Sequence, residues 1–144
     1  MRPLSQTALR ADRPWIREGY RSLNPYLVVE RVEPLLAFLS QVLGGEERGE
    51  REIRPDGTIG HAEFVHGDSV VMLSEASENR PRPSVVFAYV EDVDAAFGRA
   101  AAAGATDLRE PKDWPWGDRV AGFHDPCDNR WWIATCLSSS TTDR

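Results

Sequence analysis

His61 and Glu63 stand two residues apart in a run, Gly60 to Val65, that reads as a β-strand. Alternation places both on one face, opposite Ala62 and Phe64. An imidazole beside a carboxylate can move a proton or hold part of a metal site. The same spacing is also the ordinary pattern of a half-solvated strand. His66 lies in a His66-Gly67-Asp68 turn and faces the other way. His124 precedes an Asp125-Pro126 turn. His61, Glu63 and His124 would make a three-ligand set only if the fold brought them together. Trp114 and Trp116 bracket Pro115, and with Trp132 they would cage a flat or cationic ligand, or else only pack. Trp131 reads as core. Arg119 would meet an anionic ligand, or fix its loop with Asp118. Cys127 and Cys136 lack His or Cys neighbours at zinc-finger spacing and read as reduced thiols. There is no G-x-S-x-G elbow, P-loop, G-x-G-x-x-G or H-E-x-x-H.

The elements that carry these residues form a weak repeat. Val29-Glu30-Arg31-Val32-Glu33 recurs as Val90-Glu91-Asp92-Val93-Asp94. Each copy follows an extended run, 24–29 and 85–90, and precedes a helical pattern. In the first helix Leu35, Leu36, Phe38, Leu39, Val42 and Leu43 keep helical spacing. Glu33 is its expected cap, Pro34 suits the first turn, and Gly44-Gly45 stop it. In the second, Asp94 is the expected cap, Ala95 to Ala103 the body and Gly104 the end. Strand-like runs follow each helix: 60–65 and 69–74, then 119–124 and 130–136. Residues 46–58 hold an edge strand or a loop. Each half therefore reads as βαβββ, too small to bury its sheet alone. The expected class is α+β, with mixed sheets and helices on one face. The expected division is an arm at 1–22, a single domain at 23–137 (modules about 23–76 and 84–137) and a disordered tail at 138–144.

Composition narrows the function classes. A net charge of −6 argues against a general nucleic-acid binder, which needs a basic face. No apolar run reaches the roughly 18–20 residues that span a bilayer. The first twenty residues lack the apolar core of a secretory signal, so the expected location is cytoplasmic.

The duplicated pattern resembles the vicinal oxygen chelate superfamily, which includes glyoxalase I, bleomycin-resistance proteins and extradiol dioxygenases. The residues carrying the resemblance are Val90 to Ala96, then Ala103-Gly104-Ala105, then Gly117-Asp118-Arg119 and the segment Gly122 to Trp131. Asp128 stands where the family usually has Gly, and Asp tolerates the left-handed backbone. The resemblance implies two curved sheets forming a cup. Asn24, Tyr26 and Val28 would face the cup from the first strand, and Val85, Phe87 and Tyr89 from the strand opening the second module. The family's four metal-ligand positions fall near Asn24, Met72 and Val85 and on Trp132. Asn is a weak ligand, Val and Trp do not ligate, and Met suits soft copper.

Two functions are therefore expected in turn. The first is a metal-free, cofactor-free protein that binds a small aromatic or amphipathic molecule. Its cup would hold Asn24, Tyr26, Met72, Val85, Phe87, Trp116 and Trp132, with His61, Glu63 and Arg119 as polar contacts. The second is a lyase, isomerase or dioxygenase using His61 and Glu63, with or without a metal. Open sheet edges and the resemblance point to a homodimer.

Overall fold

A computed structural model describes residues 13–77 and 80–137. The fold is α+β, with two βαβββ modules. The first comprises β1 (Tyr26–Val29), α1 (Val32–Leu43), β2 (Glu46–Ile53), β3 (Ile59–His66) and β4 (Ser69–Glu75). The second comprises β5 (Val85–Tyr89), α2 (Val93–Ala102), β6 (Thr106–Asp113), β7 (Asp118–His124) and β8 (Arg130–Cys136). The sheets run β1-β4-β3-β2 and β5-β8-β7-β6. The pairs β1–β4 and β5–β8 are parallel and the rest antiparallel. The expected tail at 138–144 lies outside the described residues, as do residues 1–12 of the arm.

Each sheet buries one face under its helix. Leu27, Val29, Phe64 and Leu73 meet Leu35, Leu39 and Val42 in the first module. Ala88, Phe123, Trp131 and Ile133 meet Val93, Ala96 and Ala100 in the second. The small residues of α2 let it lie close to a sheet that carries the larger Trp131. The two cores join where Phe38 of α1 meets Phe123 of β7 edge to face at 5.7 Å. The Arg99 guanidinium donates to Val42 O at the end of α1, at 2.9 Å.

Both helix starts differ from the sequence expectation. Neither Glu33 nor Asp94 is the cap. Arg31 holds the cap position of α1 with no side-chain bond. Glu75, at the end of β4, supplies it instead: its carboxylate accepts Val32 N–H and Ile59 N–H, both at 2.9 Å. Glu33 is drawn away to Arg51. In α2 the capping carboxylate is Asp92, which accepts Ala95 N–H at 3.1 Å, while Thr135 Oγ1 accepts Val93 N–H at 2.9 Å. Glu75 and Thr135 are therefore equivalent devices: a residue at the end of each module's parallel strand satisfies the first helical amide.

The segment 106–113 gave no strand signal, because charged residues occupy both faces and Pro111 interrupts it. It forms β6, an edge strand with register shifts, where proline and unpaired amides are tolerated. The charged segment 46–53 forms the matching edge, β2. Asp128 has φ 66°, so the turn between β7 and β8 closes with Asp in the left-handed region, as the resemblance required of a residue standing in for Gly.

Candidate functional site

The face of each sheet turned away from its helix carries the residues singled out by type. Register fixes their neighbours. On the first sheet Tyr26 pairs with Met72, and Met72 with Glu63. On the second Phe87 pairs with Trp132, and Trp132 with Gly122.

The first face is a closed polar cluster beneath the arm. His61 Nε2 and Glu63 Oε2 are 2.8 Å apart. Glu63 is buried and also accepts Tyr20 Oη–H at 2.6 Å and Arg48 Nε–H at 2.7 Å, with Arg17 Nη1 at 3.1 Å. Burial opposes ionisation of Glu63, but the bonds from His61, Tyr20 and Arg48 and the Arg17 charge outweigh it and hold the carboxyl at about 2. Burial and the bond to Glu63 push Tyr20 up to about 12. Both carboxylate oxygens are thus occupied, and the cluster fastens residues 13–22 to the sheet. Tyr20, 43 positions from Glu63, carries the docking of this part of the arm.

This cluster has a pH signature. Glu63 titrates near 4.5 when unfolded and about 2 when folded. Its contribution is complete above about 4.5 and disappears as pH falls toward 2, amounting to about 3 kcal/mol. Urea midpoints for the protein should fall more steeply across that window than those of Glu63→Gln. Parallel curves would mean that Glu63 ionises alike in both states.

Other first-module candidates are spoken for locally. Asn24 accepts Arg21 N–H and donates to Arg21 O, so its amide closes a turn. Asn24 and Met72 line a cavity of about 450 Å³ under Trp15, Arg17 and Tyr20. Tyr26 Oη lies 3.0 Å from Ser74 Oγ.

The second face is open and aromatic. Phe87, Leu108, Trp114, Trp116, Val120 and Trp132 line a cavity of about 620 Å³, with Arg109, Glu110 and Lys112 at its margin. Trp114 and Trp116 stack at 5.0 Å with 17° between planes. Lys112 Nζ sits 4.4 Å from the Trp114 centroid. The Arg130 guanidinium lies 5.0 Å from the Trp132 centroid and is anchored by Asp107 at 2.6 Å. Gly122 makes the Trp132 position possible: a Cβ there would stand 2.5 Å from ring atom Cζ3. Tyr89 donates to the buried Asp118 at 2.8 Å, a bond that raises the phenol's pKa. Trp116 is 64% exposed, so the cavity has an open mouth.

The candidate residues therefore divide. Phe87, Trp116 and Trp132 come together. Val85 is exposed at the start of β5, outside this cavity. Arg119 points away from it: the guanidinium binds Asp94 at the foot of α2 and Asp113, at 3.0 and 2.8 Å. His124 lies on the second sheet, 3.6 Å from Asp107, and does not join His61 and Glu63. Leu108, Lys112 and Val120 were missed. Val120 was readable from alternation within β7, whereas Leu108 and Lys112 lie on the unrecognised β6.

The family's metal site does not fit these residues. Asn24 is bonded to Arg21, Val85 has no donor, and the Trp132 indole packs against Gly122 with no metal-ligating atom. Among the described residues, no three His, Cys, Asp or Glu side chains are grouped to hold a metal ion. Among them, too, no helix is long and apolar enough to cross a membrane.

A sequence profile of the Glyoxalase/Bleomycin resistance protein/Dioxygenase superfamily matches residues 22–133. The chain belongs to this superfamily. An uncharacterized protein of Mycobacterium tuberculosis is 32% identical over 122 residues, which cover 76% of this chain and 71% of that one. Among solved structures, TioX from Micromonospora sp. ML1 is similar, with TM-score 0.66, 25% identity and coverage of 83% of this chain and 98% of TioX. TnmS3, an antibiotic binding protein from Streptomyces sp. CB03234, shares the fold, with TM-score 0.63 and 20% identity; the match covers 81% of this chain and 99% of TnmS3.

Proposed function

We propose that this superfamily member binds a small aromatic or amphipathic molecule, without a metal, in the cavity of its second module. The observation that carries the reading is the convergence of Phe87, Trp114, Trp116 and Trp132 on one open, mostly apolar cavity. Its volume is of the size that small-molecule sites occupy. Apolar burial and ring stacking supply the affinity, and few polar groups fix orientation. TnmS3, an antibiotic binding protein, is an example of small-molecule binding on the same fold. The protein acts in the cytoplasm as a homodimer, in which the exposed Tyr26, Val85 and Tyr89 side chains of the two faces are covered. The alternative acid–base enzyme would have to use a Glu63 carboxylate already engaged by Tyr20, Arg48 and Arg17.

The test is a titration of the protein with flat aromatic probes, one cationic (proflavine) and one anionic (anilinonaphthalene sulfonate), followed by tryptophan emission. Saturable quenching is expected with at least one probe. It should persist in Arg119→Ala, because that guanidinium faces α2, and weaken about tenfold or more in Phe87→Ala. Quenching that is unsaturable with both probes, or unchanged in Phe87→Ala, would overturn the assignment. Elemental analysis and thermal shifts with nickel, manganese, iron and zinc test the metal-free part. Stoichiometric metal would refute it.

A further inference from the structure

Three arginines in the described chain lack the partner that every other one has. The rest donate to carboxylates, hydroxyls or a helix-end carbonyl. Arg31, Arg80 and Arg82 have no side-chain hydrogen bond and no ion pair within 4.0 Å among the described residues. All three line one cavity of about 750 Å³. It lies where the β1–α1 connection, the inter-module segment 80–83 and the β7–β8 turn meet. None of its residues lines the aromatic cavity.

We propose that this seam cavity is a second ligand site, for a small phosphate monoester that also carries hydroxyl or amino groups. In a chain of net charge −6, three guanidinium groups left without acceptors are a local excess of donors. A phosphoryl group presents three terminal oxygens around one centre and can accept from three guanidinium groups, whereas a carboxylate has two. The lining is not all basic: Glu30 and Asp128 also line the cavity, and neither makes an ion pair with these arginines. They would repel a bare anion and accept from hydroxyl or amino donors. The ligand that meets both kinds of group carries an anion for the arginines and hydroxyl or amino donors for the carboxylates.

The backbone holds the wall in place. Arg82 N–H donates to Val28 O at 3.4 Å, and the Cys127 thiol donates to Arg31 O at 3.5 Å. Pro81 and Pro83 restrict the segment that carries Arg80 and Arg82. Cys127 is part of the wall and not a nucleophile, since burial, then Asp125, pushes its thiol to about 11.

Calorimetric titration at low ionic strength, with the pairs Arg80→Ala/Arg82→Ala and Arg54→Ala, tests this. Arg54 is a control arginine, bonded to Thr58 away from the seam. Glucose 6-phosphate should bind saturably, inorganic phosphate more weakly, and glucose not at all. The double variant should lose at least tenfold, and Arg54→Ala should lose nothing. Proflavine and anilinonaphthalene sulfonate binding should be unchanged in the double variant, so this site stands or falls separately from the aromatic one. Absence of saturation with glucose 6-phosphate, equal affinity for citrate, or equal weakening in Arg54→Ala would each overturn the proposal. Arg31→Ala is a second probe of the same wall and should reproduce the loss.

Discussion

Asp125→Ala should destabilise the protein by about 3–5 kcal/mol, a large part of the roughly 5–15 kcal/mol that holds a domain together. Asp125 is buried and accepts four bonds: Cys127 N–H at 2.7 Å, Asn129 N–H at 3.1 Å, Asn129 Nδ2–H at 2.9 Å and Trp131 Nε1–H at 2.7 Å. Alanine removes the acceptor and leaves those donors in place. Asn129 and Trp131 are fully enclosed, so water does not readily replace the carboxylate. Each stranded buried donor costs about 1–3 kcal/mol, and partial relaxation keeps the sum below simple addition. Asp125→Asn should cost less, because one oxygen remains. Urea unfolding monitored by Trp emission measures both variants. A loss under 1 kcal/mol in Asp125→Ala would mean that these four bonds do not organise the turn.

That turn also explains what could be read from the sequence and what could not. The segment Asp125 to Trp131 matched a family pattern, and its physics is local. The carboxylate serves amides two and four residues on and an indole six residues on, so it survives in the sequence as a compact motif. The βαβββ repeat was legible for a similar reason: alternation and helical spacing are properties of neighbouring residues. Contacts across the chain left no such trace. Nothing near Glu63 announces Tyr20, and nothing near Val32 announces Glu75. Arg119 has the composition of a ligand contact, but its strand face is set by pairing with β8, which turns it toward Asp94. The edge strand β6 was invisible because an edge need not bury a face, so half of the aromatic cavity's wall was missing from the sequence reading. The aromatic residues were legible by type; their meeting in one cavity required the register of β5, β8 and β7.

Within that cavity, Gly122→Ala should weaken binding of a flat aromatic probe at least tenfold, about 1.4 kcal/mol. The added methyl would fall 2.5 Å from Cζ3 and 2.6 Å from Cε3 of Trp132, and 3.1 Å from Arg130 Nη1. Strand backbone does not yield by that distance, so the indole must tilt off the sheet and out from under Arg130. The cavity then loses its floor, although every aromatic side chain is still present. Trp132→Ala should do the same more directly, by about tenfold to a hundredfold, because it removes both the stacking surface and apolar area. The informative variant is the pair. With no ring at 132 the alanine methyl at 122 meets only the flexible end of Arg130, at 3.1 Å, so Gly122→Ala/Trp132→Ala should bind the probe no worse than Trp132→Ala alone. Independent effects would instead multiply. Titrations of the two single variants and the double, read by residual Trp quenching or calorimetry, separate these outcomes. Multiplicative losses would show that Gly122 acts through the sheet backbone and not through the seat of Trp132.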